Sequence, residues 1–156
     1  MTPVLGKKVP QLKGVLQDGG TLTLAELRGR HVVVYFYPKD HTPGCMREAQ
    51  DFRDLYDEFQ TRGCEIIGVS RDSATSHGKF RQKHDLAFPL IADTDEVWCQ
   101  TFDVIGAKVL YGKHYVGLIR STFLINPEGV LLAEWRGVKV PGHAAAVLEQ
   151  LKQECL

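Results

Sequence analysis

The chain has 156 residues, 44% of them hydrophobic, which suits one globular domain with a full core; a single domain over residues 1–156 is expected. Nineteen basic and nineteen acidic residues cancel, so no net field draws in nucleic acid or an anionic membrane, and neither is expected as a partner. The start, MTPVLGKKVPQL, lacks an apolar core of signal-peptide length and no stretch approaches a membrane span, so a cytoplasmic protein is expected.

Asp18, Gly19 and Gly20 predict a turn between two short strands, and Leu24 to Arg28 a brief helix ended by Gly29. His31 to Tyr37, HVVVYFY, is too short for a buried helix and right for a strand covered on both faces; Pro38 stops it. A long helix follows from Cys45 to about Arg62 and ends at Gly63, with Cys45, Ala49, Phe52, Tyr56 and Phe59 on one face. Next come a strand at Glu65 to Ser70, a helix near Ser76 to His84, a short strand at Phe88 to Ala92 and a short helix around Glu96 to Phe102. Ser121 to Ile125 and Val130 to Trp135 predict a hairpin about Asn126, Pro127, Glu128 and Gly129, and a last helix runs from about Gly142 to Glu154. This order is that of a thioredoxin-like α/β fold, a central mixed sheet flanked by helices, here with an N-terminal hairpin extension. HEXXH, Gly-x-Ser-x-Gly, a P-loop and the dinucleotide glycine fingerprint are missing, and no metal or organic cofactor is expected.

The segment YFYPKDHTPGC, Tyr35 to Cys45, carries the chemistry. Thr42 has N-cap character, Pro43 suits the first helical position, and Gly44 lets the backbone come close to a ligand, so Cys45 is about the third helical residue. The first amides of a helix lack intrahelical partners and carry its partial positive charge, which favours a thiolate there. Read for packing alone, Cys45 is only the first apolar residue of the inward stripe. That reading gives no reason for a Thr-Pro-Gly cap in front of the thiol.

Pro38, Thr42 and Cys45 match the pattern Pro-x-x-x-Thr-x-x-Cys, and through it the chain resembles the peroxiredoxins; the wider PKDHTPGCMREAQDFRD resembles their bacterioferritin comigratory protein group, also called PrxQ. Far downstream, Arg120 in GLIRSTFLINPEG stands at the position of that family's active-site arginine, so the resemblance covers nearly the whole chain. It implies a thioredoxin-like fold, a monomer, and reduction of hydrogen peroxide and organic hydroperoxides by Cys45, which cycles through sulfenic acid at the expense of thioredoxin or of glutathione with glutaredoxin. Arg120, Thr42 and the amides of Gly44 and Cys45 are then the donors to the peroxide oxygens, with Pro38 and Gly44 supporting the site. Glu48, three residues after Cys45, either holds Arg120 by a carboxylate–guanidinium bond or complements the helix N-terminus. Arg120 read by itself is equally a surface ion-pair partner, Tyr37 is core, and His41 is an exposed loop histidine.

The regenerating step departs from the pattern. Many relatives carry a second, resolving cysteine five residues after the first, where this chain has Gln50; others carry it in the next helix, and Ser76 to His84 has none. Cys64 follows a helix of about 18 residues, so at ~1.5 Å per residue it lies ~27 Å from Cys45, whereas a disulfide needs α-carbons within ~7 Å. Cys155 is one residue from the end and open to fraying. The reading adopted is a one-cysteine enzyme regenerated by an external thiol, with Cys99 as the alternative resolving partner. From other classes, a redox-sensing interaction or holdase module and a cysteine hydrolase pairing Cys45 with a distant histidine stand as competitors.

Overall fold

The structure is a computed structural model that describes residues 2–155. Strands Lys13–Leu16 (β1) and Thr21–Thr23 (β2) form the N-terminal hairpin, followed by a 3-10 turn at Leu24–Leu27 that opens on a capping box between Thr23 and Glu26. His31–Phe36 (β3) leads through the loop 37–42 into the helix Pro43–Thr61 (α1). Cys64–Ser70 (β4), Ala74–Lys83 (α2), Leu90–Ala92 (β5) and Val97–Thr101 (α3) come next. Ile105–Leu110 (β6) and Lys113–Leu118 (β7) precede Ser121–Ile125 (β8), Leu131–Arg136 (β9) and His143–Glu154 (α4).

Seven strands form one mixed sheet in the order β2-β1-β5-β4-β3-β8-β9, with β3, β4 and β5 parallel and the remaining neighbours antiparallel. Alternation along β3 sorts the core into two layers. Val33, Tyr35 and Tyr37 pack with Phe52 and Phe59 of α1, Phe80 of α2 and Leu148 and Leu151 of α4. Val32, Val34 and Phe36 face the other way, against Trp98, Cys99 and Phe102 around α3 and Leu24 of the 3-10 turn. The thioredoxin-like order is therefore the order observed, and most element ends fall within two residues of those expected. The hairpin β6–β7 was not expected: it forms a separate two-stranded sheet joined by Tyr111 and Gly112, both in the left-handed region at φ 51° and 77°. No described helix is long and apolar enough to cross a membrane.

Candidate active site

The loop between β3 and α1 and the connector between β7 and β8 meet over the first turn of α1. Cys45 is its third residue and is only 2% exposed. Thr42 stands at the N-cap with extended backbone, but its hydroxyl does not cap the helix; it donates to the Lys39 carbonyl at 2.7 Å. The expectation of side-chain capping is corrected on this point. Its consequence is chemical, since no side chain claims the amides at the start of α1, and Thr42 Oγ1 spends its proton locally while keeping lone pairs free.

Arg120 reaches this turn from the connector, whose backbone is pinned where Ile119 N donates to Val104 O and Val138 N donates to Arg120 O. Its guanidinium is bifunctional: Nη1 donates to Glu48 Oε1 at 2.5 Å and Nη2 to Cys45 Sγ at 3.4 Å. A methyl group at Gly44 would lie 3.2 Å from Arg120 Nη2, so the missing side chain gives the guanidinium its place. Glu48 is buried, and its second oxygen has no partner. Burial pushes its carboxyl up to about 7 against the pull of Arg120. Burial acts against the Arg120 charge too, but Glu48 and the Cys45 sulfur outweigh it and hold the guanidinium above its ordinary value.

Pro38, Ala107, Val109, Ile119, Arg120 and Val138 line an open groove of about 420 Å³ leading to this turn. Its far wall is the unexpected hairpin, so the sequence reading left out that side of the site. The Tyr111-Gly112 turn pair between β-prone residues was the available signal. Tyr37 is core, as read, with its hydroxyl on Asp40 Oδ1 at 2.7 Å. His41 is exposed, and among the described residues Cys45 Sγ is bonded to Arg120 and to no histidine, so the pair a cysteine hydrolase needs is not formed.

The other cysteines lie elsewhere. Cys64 is buried at the start of β4, its thiol pushed up to about 12 by burial and Glu65. Cys99 is fully buried in the layer on the opposite side of the sheet from Cys45, and burial and Asp93 push its thiol far up. Gln50 occupies the position of the missing resolving residue and sits 3.3 Å from His84 Nδ1.

Comparison with known proteins agrees with this geometry. Residues 5–133 match the model of the AhpC/TSA family. The chain belongs to that family. It is 48% identical to Peroxiredoxin Bcp of Bacillus subtilis over 152 residues, 97% of both chains, and 53% identical to Peroxiredoxin Bcp of Xanthomonas campestris over 88% of this chain and 86% of that one. A cysteine-to-serine mutant of Xylella fastidiosa PrxQ superposes with a TM-score of 0.94 at 38% identity, covering 100% of this chain and 99% of that one. A Xanthomonas campestris bacterioferritin comigratory protein described for its alkyl peroxide reduction activity superposes at 0.88, with 50% identity over 93% and 92% of the two chains. As a member of the AhpC/TSA family with peroxiredoxin relatives this close, the protein is a thiol-dependent peroxidase: its substrate is a peroxide and its electrons come from a thiol.

Proposed function

We propose that Cys45 is the attacking sulfur, that Arg120 and the amides of Gly44 and Cys45 stabilise the transition state, and that Thr42, whose own proton is donated to Lys39 O, accepts from the peroxide hydroxyl and orients it. The observation that carries this is the single guanidinium shared between Cys45 Sγ and the buried Glu48 carboxylate. The thiolate sulfur attacks one oxygen of ROOH, the S–O bond forms as the O–O bond breaks, and the departing alkoxide or hydroxide takes up a proton; cysteine is oxidised to sulfenic acid and the peroxide reduced to ROH. Ionisation alone does not make this fast, because a free thiol is already a few per cent thiolate at neutral pH and full ionisation gains at most about 30-fold. Each fixed donor aimed at developing oxygen charge is worth about 100-fold to 1,000-fold, so the donors dominate. Arg120 suits the role because its planar fork holds the sulfur by one nitrogen while Glu48 fixes the other.

The groove beside Pro38 and Arg120 is of mixed character, with Ala107, Val109, Ile119 and Val138 beside the charged Lys108 and Arg120, and is assigned to hydrogen peroxide and organic hydroperoxides alike. Regeneration is assigned to an external thiol. Its sulfur displaces water from the Cys45 sulfenic acid to give a mixed disulfide, and a second thiol releases reduced Cys45. Supporting this, Cys64 and Cys99 are buried and Cys99 faces the opposite side of the sheet. The separation of the sheet's layers leaves Cys99 no short path to Cys45, and the protein is assigned as a monomer. Intact mass after one equivalent of peroxide, with and without a sulfenic acid trap, tests the cycle: a trapped adduct on Cys45 is expected, and a quantitative disulfide from Cys45 to any other cysteine rejects the one-cysteine form.

A further inference from the structure

Asp40 lies in the loop five residues before Cys45 and is buried, which is unusual for a loop carboxylate. Its Oδ1 accepts from the Tyr37 hydroxyl at 2.7 Å; its Oδ2 accepts from Ser76 Oγ at 2.8 Å and stands 2.7 Å from His77 Nδ1. Its backbone amide donates to Asp72 Oδ2 at 2.8 Å, and Ser70 Oγ donates to the same oxygen at 2.6 Å. His77 is fully buried, and its other nitrogen, Nε2, is 2.9 Å from the Ile91 carbonyl. A carbonyl only accepts, so Nε2 carries a proton, while Nδ1 faces a carboxylate oxygen that is itself an acceptor. Hydrogen bonds from His77, Tyr37 and Ser76 outweigh burial and hold the Asp40 carboxyl below its ordinary value. The cluster is a buried histidine–carboxylate pair. Asp40, Asp72 and His77 have metal-ligand chemistry, but Asp40 Oδ2 and His77 Nδ1 are bonded to each other and Asp72 Oδ2 accepts from Asp40 N and Ser70 Oγ.

The pair joins the loop before α1 to α2 and to the middle of β5. Immediately after Asp40, His41 is held in the left-handed region at φ 63°, a conformation a residue with a side chain keeps only when its surroundings impose it. Asp40 on one side and the Thr42 to Lys39 hydrogen bond on the other impose it here. Cys45 is 2% exposed, so a bulky thiol reaches its sulfur only when the first turn of α1 opens.

We infer that Asp40 and His77 are positioning residues that hold the Cys45 loop in its peroxide-reactive form and set how often it opens to the reductant. This rests on Cys45 being the attacking sulfur. Weakening the pair releases the His41 backbone, moves the loop toward the open form and drives the half-reactions in opposite directions.

The test uses Asp40→Asn and His77→Gln in the full chain, measuring separately Cys45 oxidation by hydrogen peroxide and the attack of 5-thio-2-nitrobenzoate on preformed sulfenic acid. The ratio of the reductive to the oxidative rate should rise by about tenfold to 100-fold, the range of a lost hydrogen bond to a charged group. A role confined to stability lowers the melting temperature and leaves the ratio of the two rates unchanged, and that result overturns the proposal. If either variant does not fold, Ser76→Ala, which removes one hydrogen bond to Asp40 and leaves the pair in place, still decides: the ratio of the two rates should shift in the same direction, and an unchanged ratio overturns the proposal. Cys45→Ser in the same assays keeps the two readings apart, because persisting oxidation there rejects the attacking sulfur rather than the pair.

Discussion

Cys45 and Cys99 occupy matching positions on opposite sides of one sheet. Each is the third residue of a helix that follows a parallel strand, and each is buried. The surroundings differ in sign. At Cys99 the Asp93 carboxylate accepts from Trp98 N at 3.0 Å and Cys99 N at 2.8 Å, so the helix start is occupied and an anionic sulfur is opposed. At Cys45 no side chain caps the helix and the facing group is a guanidinium. On the proposed assignment, burial at a helix start is common to an unreactive and a reactive thiol, and free amides and a cation beside the sulfur make the difference.

The hardest test of this contrast is to remove each sulfur in turn. Cys45→Ser should abolish peroxide turnover while unfolding cooperatively, since a hydroxyl fills the space but does not ionise near neutral pH. Cys99→Ser should leave the peroxide step unchanged and still turn over with glutathione and glutaredoxin. Stopped-flow oxidation and denaturant melts measure both, and residual turnover in Cys45→Ser removes the assignment. Arg120→Lys keeps the cation but loses the planar fork, and a loss of about 100-fold in the peroxide rate is expected, more than thiolate content alone accounts for. Thr42→Val should slow the same step by less than Arg120→Lys does, because the hydroxyl proton is already donated to Lys39 O and only an acceptor is lost. Wild-type rates in both variants would refute the transition-state account.

The smallest effect is on stability. Glu48 titrates near 7 in the folded protein against an ordinary 4.5, so between those values the folded state holds a proton that the unfolded chain has lost. Its contribution is full below pH 4.5 and disappears as pH rises through 7. Glu48→Gln removes this dependence. Wild-type stability should fall relative to the variant across that window by on the order of a few kcal/mol, read from denaturant midpoints; parallel curves would show that Glu48 does not carry the proton.

The parts of this site legible in the sequence are those written locally. Thr42, Pro43, Gly44 and Cys45 announce a helix start in consecutive residues, and HVVVYFY announces a strand buried on both faces. Arg120 was legible only through resemblance, because 75 residues separate it from Cys45 and no spacing rule spans that distance. Asp40 and His77 went unread for the same reason: 37 residues apart, they look like a loop acid and a helix histidine until β5 and α2 fold over the loop. The hairpin β6–β7 escaped because its strands carry exposed residues, Val109, Tyr111 and Val116 among them, and its period never resolves into an inner and an outer face. Cys99 shows the converse error of scale. Its strand does end near the edge that holds Cys45, but the register that decides which side of the sheet its helix covers is set by neighbouring strands.

The sheet's borders have a consequence for how often such a site can open without harm. One border strand, β2, is three residues long; the other, β9, is irregular where Ile125 pairs with Leu131, and its start is covered by the N-terminal segment through the Lys8 to Val130 bridge. Neither offers a long flat ladder on which another chain could template. If the Cys45 loop opens as inferred, the backbone it frees is the first turn of α1, which takes part in no strand pairing and bares no new sheet edge.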